Sequence, residues 1–145
     1  NIPISDYYIA IIYPHIKVST DQARKMLPEN IKLKSAIHQW GNLSALVYGF
    51  MTDDKKVIKK SMDDVIIEPI RSELIKGFYN IKTNAIKLGA IGCSISGSGP
   101  SIFALCDSKK QAIQIGKYSQ GYYKSLHLDC NVYLSKINRS GPIIV

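Results

Sequence analysis

The sequence predicts an α+β fold, a two-layer sandwich in which helices cover an antiparallel sheet. Three observations predict it. Short runs rich in β-branched and aromatic residues stand near the start, in the second half and near the end of the chain. The stretches between them carry apolar residues at three-to-four spacing, the period of a helix with one buried face. Two of the strand-like runs are separated only by a glycine- and serine-rich connection, so they pair as a hairpin, while helices join the others.

The first strand covers residues 7–13, from Tyr7-Tyr8 through Ile9, Ile11 and Ile12, and Pro14 ends it. In "KVSTDQARKMLP", Ser19 followed three residues later by Gln22 is a capping-box pattern. With Asp21 in the first turn and Pro28 beyond the end, it gives a short helix over about residues 20–27. From residue 34 to 51 the apolar positions Ala36, Ile37, Trp40, Leu43, Val47 and Phe50 read as a core-facing helix. Asp53-Asp54 opens another helix, with Val57, Ile58 and Met62 on one face and lysines on the other, and Pro69 breaks it. A helix over residues 73–88 comes next, its inner face built from Leu74, Ile75, Phe78, Ile81, Ala85 and Leu88, with Gly89 as its cap. Residues 90–96 and 101–106 read as the hairpin strands. Asp107-Ser108 starts a helix over 109–126, and 131–137 is the last strand. The order strand, several helices, two strands, helix, strand resembles a ferredoxin-like split βαβ arrangement with extra helices in the first crossover. The whole chain, 1–145, is one domain, long enough to bury a core.

Composition narrows the function classes. Apolar residues make up 46% and mean hydropathy is near zero, as in a globular, soluble protein. No apolar run approaches the roughly 18 residues of a membrane span. Asn1 is not Met, and the residues after it lack the layout of a signal peptide, so the chain is expected to be a piece of a longer protein. The net charge of +8 sits in dispersed lysines such as Lys55-Lys56 and Lys109-Lys110, which fits a solvated helix face or anionic small molecules. No basic stripe interleaved with aromatics appears, which argues against nucleic acid as a partner.

Cys93, Cys106 and Cys130 form no CxxC pair, and each sits in or beside an apolar stretch. They read as reduced, structural thiols of a cytoplasmic protein. His15, His38 and His127 share no metal-ligand spacing, and neither a nucleophile elbow nor a kinase-type catalytic loop is present.

What remains is the connection "CSISGSGPS", residues 93–101, and two arginines. An anion-binding loop needs backbone N–H groups turned toward one point, and glycine makes that turn without a Cβ clash. Ser96, Gly97, Ser98 and Gly99 supply that flexibility together with hydroxyl donors. The Walker A pattern fails because Ser98 stands where lysine belongs, and the dinucleotide fingerprint fails because strands flank the loop on both sides. By local chemistry, a serine-rich structural hairpin and an anion loop fit equally well. Arg24 and Arg71 could each hold a carboxylate or phosphate with two parallel hydrogen bonds. Asp63, Asp64 and Glu68 stand near Arg71 as internal ion-pair partners, the structural alternative.

Three stretches together carry a family resemblance. "YPHIKVSTDQARKMLP", "DDVIIEPIR" and "LGAIGCSISGSGPSIFAL" resemble the C-terminal half of the GHMP small-molecule kinases. The V-S-T-x-x-A-R segment with E-P-x-R favours the homoserine-phosphorylating branch over the mevalonate or galactose kinases. The resemblance implies ATP-dependent phosphorylation of the homoserine hydroxyl on the route to threonine. It implies that Arg24 and Arg71 hold the amino-acid substrate and that residues 96–99 approach the phosphates. The family's P-x-x-x-G-L-G-S-S motif is absent, and with it the N-terminal domain that carries ATP and Mg²⁺. The resemblance therefore implies an isolated chain without catalytic residues, bound cofactor or activity of its own, completed by that domain. Another GHMP small-molecule kinase, a non-catalytic amino-acid-binding regulatory module, and a structural or oligomerisation role with a dimer interface over the glycine loop are the rival readings.

Overall fold

The computed structural model describes residues 5–138. Four strands form one antiparallel sheet: β1 (Tyr8–Pro14), β2 (Gly92–Ile95), β3 (Ile102–Cys106) and β4 (Cys130–Lys136), in the order β2-β3-β1-β4. The first crossover holds α1 (Thr20–Lys25), α2 (Leu33–Thr52), α3 (Lys55–Ser61), α4 (Glu68–Arg71), a 3₁₀ turn (Ser72–Leu74) and α5 (Phe78–Lys87). The second holds α6 (Lys109–Ser125). This is the expected ferredoxin-like plan with an enlarged first crossover.

Strand alternation sorts the core. Ala10 and Ile12 of β1 face the same side as Ile102, Ala104 and Cys106 of β3, and α5 and α6 cover that side with Phe78, Ile81, Ile115 and Tyr123. A smaller cluster around Tyr7, Ile58, Ile91 and Leu105 lies on the other face, under α3 and the end of α2. The Tyr7 hydroxyl, its pKa raised first by burial and then by its neighbour, donates to Asp53 Oδ1 and ties the start of β1 to the end of α2. Cys93 and Cys106 are buried and Cys130 half-buried, all unbridged. Burial pushes the Cys93 thiol up to about 12 and the Cys106 thiol to about 11. No described helix is long and apolar enough to cross a membrane.

Local chemistry explains where the elements differ from expectation. Ser19 accepts from Gln22 N at 3.3 Å, but α1 ends at Lys25. Ser108 makes a full capping box with Gln111, so serine rather than Asp107 is the N-cap of α6. Gly89 takes a left-handed φ of +97° just past α5. Pro69 breaks no helix: α3 already ends at Ser61, and Pro69 sits in the first turn of α4, where its missing N–H leaves no bond unmade. The helix expected over 73–88 starts only at Phe78, because Gly77 sits at φ +84° under the Tyr122 ring, where an added Cβ would lie 2.5 Å from it.

The largest correction concerns α2. Of its three-to-four stripe, Ala36 and Phe50 face inward, but Ile37, Trp40, Leu43 and Val47 do not. Trp40 is 61% exposed and Leu43 60%, while Ala36 and Gly49 are the buried positions. Periodicity reports that a helix has an apolar face, not which neighbour covers it.

The packing predicts where stability resides. Ile81→Ala, a truncation of a fully buried side chain between α5 and the sheet, should lower unfolding free energy by about 3 kcal/mol in urea titration. A loss below about 1 kcal/mol would contradict this core assignment.

Candidate functional site

The glycine loop is a tight turn between β2 and β3. Ser96 N donates to Ser101 O at 2.8 Å, closing its neck, and Gly99 N donates to Ser96 O at 3.1 Å. Gly97 and Gly99 hold φ of +63° and +82°, conformations that side chains other than glycine rarely take. Within the turn, the N–H groups of Gly97 and Ser98 have no acceptor among the described residues. Unpaired amides in a glycine turn are the ingredients of an anion-binding concavity.

Two contacts seat the loop on the α4 segment. Arg71 Nη1 donates to Gly97 O at 3.1 Å. Gly99 lies so close to Ile75 that an added Cβ would sit 2.9 Å from its Cδ1. Arg71 Nε is buried and has no hydrogen-bond partner among the described residues. A buried guanidinium N–H without a partner is costly, so the other contacts of Arg71 must offset it.

The carboxylates near Arg71 in sequence are engaged elsewhere. Glu68, 4% exposed, pairs through Oε1 with Lys82 of α5 and accepts through Oε2 from Ser94 Oγ of β2 at 2.5 Å. Asp63 lies 3.5 Å from the same lysine. Asp64 Oδ1 accepts from the N–H groups of Ile66 and Ile67 at 2.9 and 2.7 Å, holding the approach to α4. Gln39 of α2 accepts from Val65 N at 3.0 Å and braces the same segment. The internal ion pair expected as the alternative for Arg71 is therefore not formed among the described residues.

Lys82 answers to competing effects. Burial alone would lower its pKa, but the hydrogen bond and charge of Glu68, then Asp63, raise it above the ordinary lysine value. Sequence reasoning missed Lys82 and Ser94. The signal for Lys82 was its place between Phe78, Ile81 and Ala85 on the inner side of α5, where a lysine needs a buried partner.

Arg24 stands apart. It is exposed on α1, and no described hydrogen bond or ion pair links it to Arg71 or to the loop. The structure thus brings together Arg71 and residues 96–99, with no described contact from Arg24. A depression of about 470 Å³ beside Ser72, Lys76 and Tyr79 is lined neither by Arg71 nor by the loop. The described residues hold no group of three or more His, Cys, Asp or Glu side chains that fits a metal ion. The geometry joins a guanidinium to a glycine turn in which two amides lack an acceptor among the described residues.

Comparison with known proteins places this arrangement in context. The profile of the family described as GHMP kinases C terminal matches residues 46–124. The homoserine kinase of Chlorobium phaeobacteroides (strain BS1) is 44% identical over 140 residues, which is 95% of this chain and 44% of that protein. That of Chloroherpeton thalassium is 42% identical over 148 residues, 99% of this chain and 46% of that protein. The crystal structure of homoserine kinase from Cytophaga hutchinsonii superposes with a TM-score of 0.94 at 44% identity, over 99% of this chain and 46% of that one. An L. major mevalonate kinase shares the fold at 16% identity and a TM-score of 0.71. The chain spans about half the length of the curated relatives it matches.

The Glu68–Lys82 pair has a pH signature. Because the folded-state pKa of Lys82 is raised, its stabilisation is complete below the ordinary value of 10.5 and is lost as pH rises through the higher folded value. The gap in urea stability between the parent chain and Lys82→Met should stay constant from about pH 7 to 9 and shrink above 10.5. A gap that does not change in alkali would contradict the pairing.

Proposed function

The chain belongs to the GHMP kinase family, with homoserine kinases as its curated relatives, and from that premise we propose that it is the C-terminal part of a homoserine kinase. The complete enzyme transfers the γ-phosphate of ATP to the side-chain hydroxyl of homoserine, giving O-phospho-L-homoserine for threonine biosynthesis in the cytoplasm. The observation that carries the reading is Arg71: a guanidinium seated on the Gly97 carbonyl at the glycine loop, with no ion pair to a carboxylate among the described residues.

Phosphoryl transfer asks a protein mainly for positioning and for neutralisation of charge. Arg71 is suited to the second task, since its planar fork can take a carboxylate or phosphoryl group through two parallel bonds. The amides of Gly97 and Ser98, with the Ser96 and Ser98 hydroxyls, offer further donors to the same anion. Glu68, through Ser94 and Lys82, holds those donors and Arg71 in fixed relation before substrate arrives. Arg24 is assigned to the homoserine side of the site, from the family resemblance of its segment. The described residues lack a carboxylate cluster for Mg²⁺, so no step through the metal is assigned to them. ATP and Mg²⁺ are attributed to an N-terminal domain in the remaining half of the polypeptide length that the relatives possess.

The 145-residue chain by itself should show no homoserine-dependent ADP release in a coupled assay, and turnover would overturn the half-site reading. In the complete polypeptide, Arg71→Ala should lower kcat/KM for homoserine by roughly a hundredfold while leaving nucleotide affinity in place. An unchanged kcat/KM would remove Arg71 from the site.

A further inference from the structure

The helix that carries Arg71 and the strand that feeds the glycine loop are joined twice, in one register. Ser94 Oγ donates to Glu68 Oε2 at 2.5 Å, and Arg71 Nη1 donates to Gly97 O at 3.1 Å. Both pairs stand 26 residues apart in sequence, so a step of three along α4 matches a step of three from β2 into the loop. Among the described residues, no other hydrogen bond joins α4 to residues 92–99. Beyond these two rungs the contact is apolar: an added Cβ at Gly99 would sit 2.9 Å from Ile75 Cδ1 and 3.5 Å from Ile95 Cγ2.

The rungs differ in what they ask of the sequence. The outer one uses a backbone carbonyl, which any residue at position 97 would supply. The inner one needs a hydroxyl at position 94, and no other described donor of β2 reaches Glu68. Strand alternation turns Cys93 and Ile95 toward the main core and leaves Ser94 on the opposite face, where Glu68 meets it. Ser94 pairs with Phe103 across the hairpin, two residues before Ser96 N closes the neck on Ser101 O. Its hydroxyl is therefore fixed to the paired part of the hairpin rather than to the tip. Lys82 holds the other oxygen of Glu68 from α5, which secures the carboxylate but not its distance from the loop.

That distance matters to an anion shared by several donors. A displacement of about 1 Å in a positioning group can cost a hundredfold in rate. The Arg71 guanidinium ends a long side chain, so its place relative to the Gly97 and Ser98 amides depends on where the α4 backbone stands. The short carboxylate–hydroxyl bond one turn earlier sets that backbone. We propose that Ser94 is a positioning residue, acting through Glu68 to fix the spacing between the Arg71 guanidinium and the amides of the glycine loop. The role rests on Arg71 belonging to the homoserine site.

Steady-state kinetics of the complete polypeptide test it. Ser94→Ala removes the hydroxyl without touching either core cluster. It should lower kcat/KM for homoserine by roughly tenfold and leave nucleotide affinity in place. Ser94→Thr keeps the hydroxyl on a strand-favouring side chain and should return to within about twofold of the parent. Ser94→Cys, a weaker donor of similar size, should fall between the two and serves if the alanine variant does not fold. In an Arg71→Ala background, Ser94→Ala should cost less than about a further twofold, because it acts through a guanidinium already removed. Parental activity in Ser94→Ala, no recovery in Ser94→Thr, or the full tenfold loss in the Arg71→Ala background would overturn the positioning role. If Arg71→Ala itself leaves kcat/KM unchanged, the assignment of Arg71 to the site falls and the role of Ser94 with it. A damaging Arg71→Ala beside a harmless Ser94→Ala removes the positioning role alone.

Discussion

The buried carboxylate of Glu68 is the constraint on which the site depends. It stands at the start of α4, one turn before Arg71, and its two oxygens reach in different directions. One takes the ammonium of Lys82 on α5; the other takes the hydroxyl of Ser94 on β2, just ahead of the glycine loop. A single group thus joins the segment that carries the guanidinium to the strand that feeds the loop. A buried charge without such partners would cost several kcal/mol, so the pairing favours the arrangement in which the three elements meet. The 3.1 Å bond from Arg71 to Gly97 spans the same two segments.

The domain is in this sense a rigid support for a cluster of donors. The sheet and helices α5 and α6 build the core. The small helices of the first crossover, held by Gln39 and Asp64, carry Arg71 to the tip of the hairpin. The Gly97 and Ser98 amides find no acceptor among the described residues, and Arg71 Nη1 is bonded beside them to the Gly97 carbonyl. A kinase that works by positioning charge suits such a surface, because pre-set donors need no reorganisation when the phosphoryl group passes.

Much of this was legible in the sequence, and the remainder was hidden for physical reasons. Alternating strand residues, the Ser19 cap of α1 and the glycines around residue 97 are local signals, and local signals survive folding. The reading of α2 failed because its apolar period is equally compatible with a core and with an external partner. The reading of Pro69 failed because proline both ends and begins helices, and only the neighbours decide which. Glu68 was visible as a candidate partner for Arg71. Its actual partners, Lys82 and Ser94, lie 14 and 26 residues away, and no spacing rule links positions brought together by tertiary packing.

If the glycine loop and Arg71 form one wall of an anion site, inorganic phosphate should bind there. Titration of the isotope-labelled chain with phosphate, read by amide and arginine side-chain NMR, puts this to the test. Saturable shifts are expected at the Gly97 and Ser98 amides and at the Arg71 Nη N–H groups. These shifts should be lost together in Glu68→Gln, in which the lock is broken and the fold retained. Shifts that fail to saturate, or that spread over the surface lysines while residues 96–99 and Arg71 stay still, would contradict the assignment.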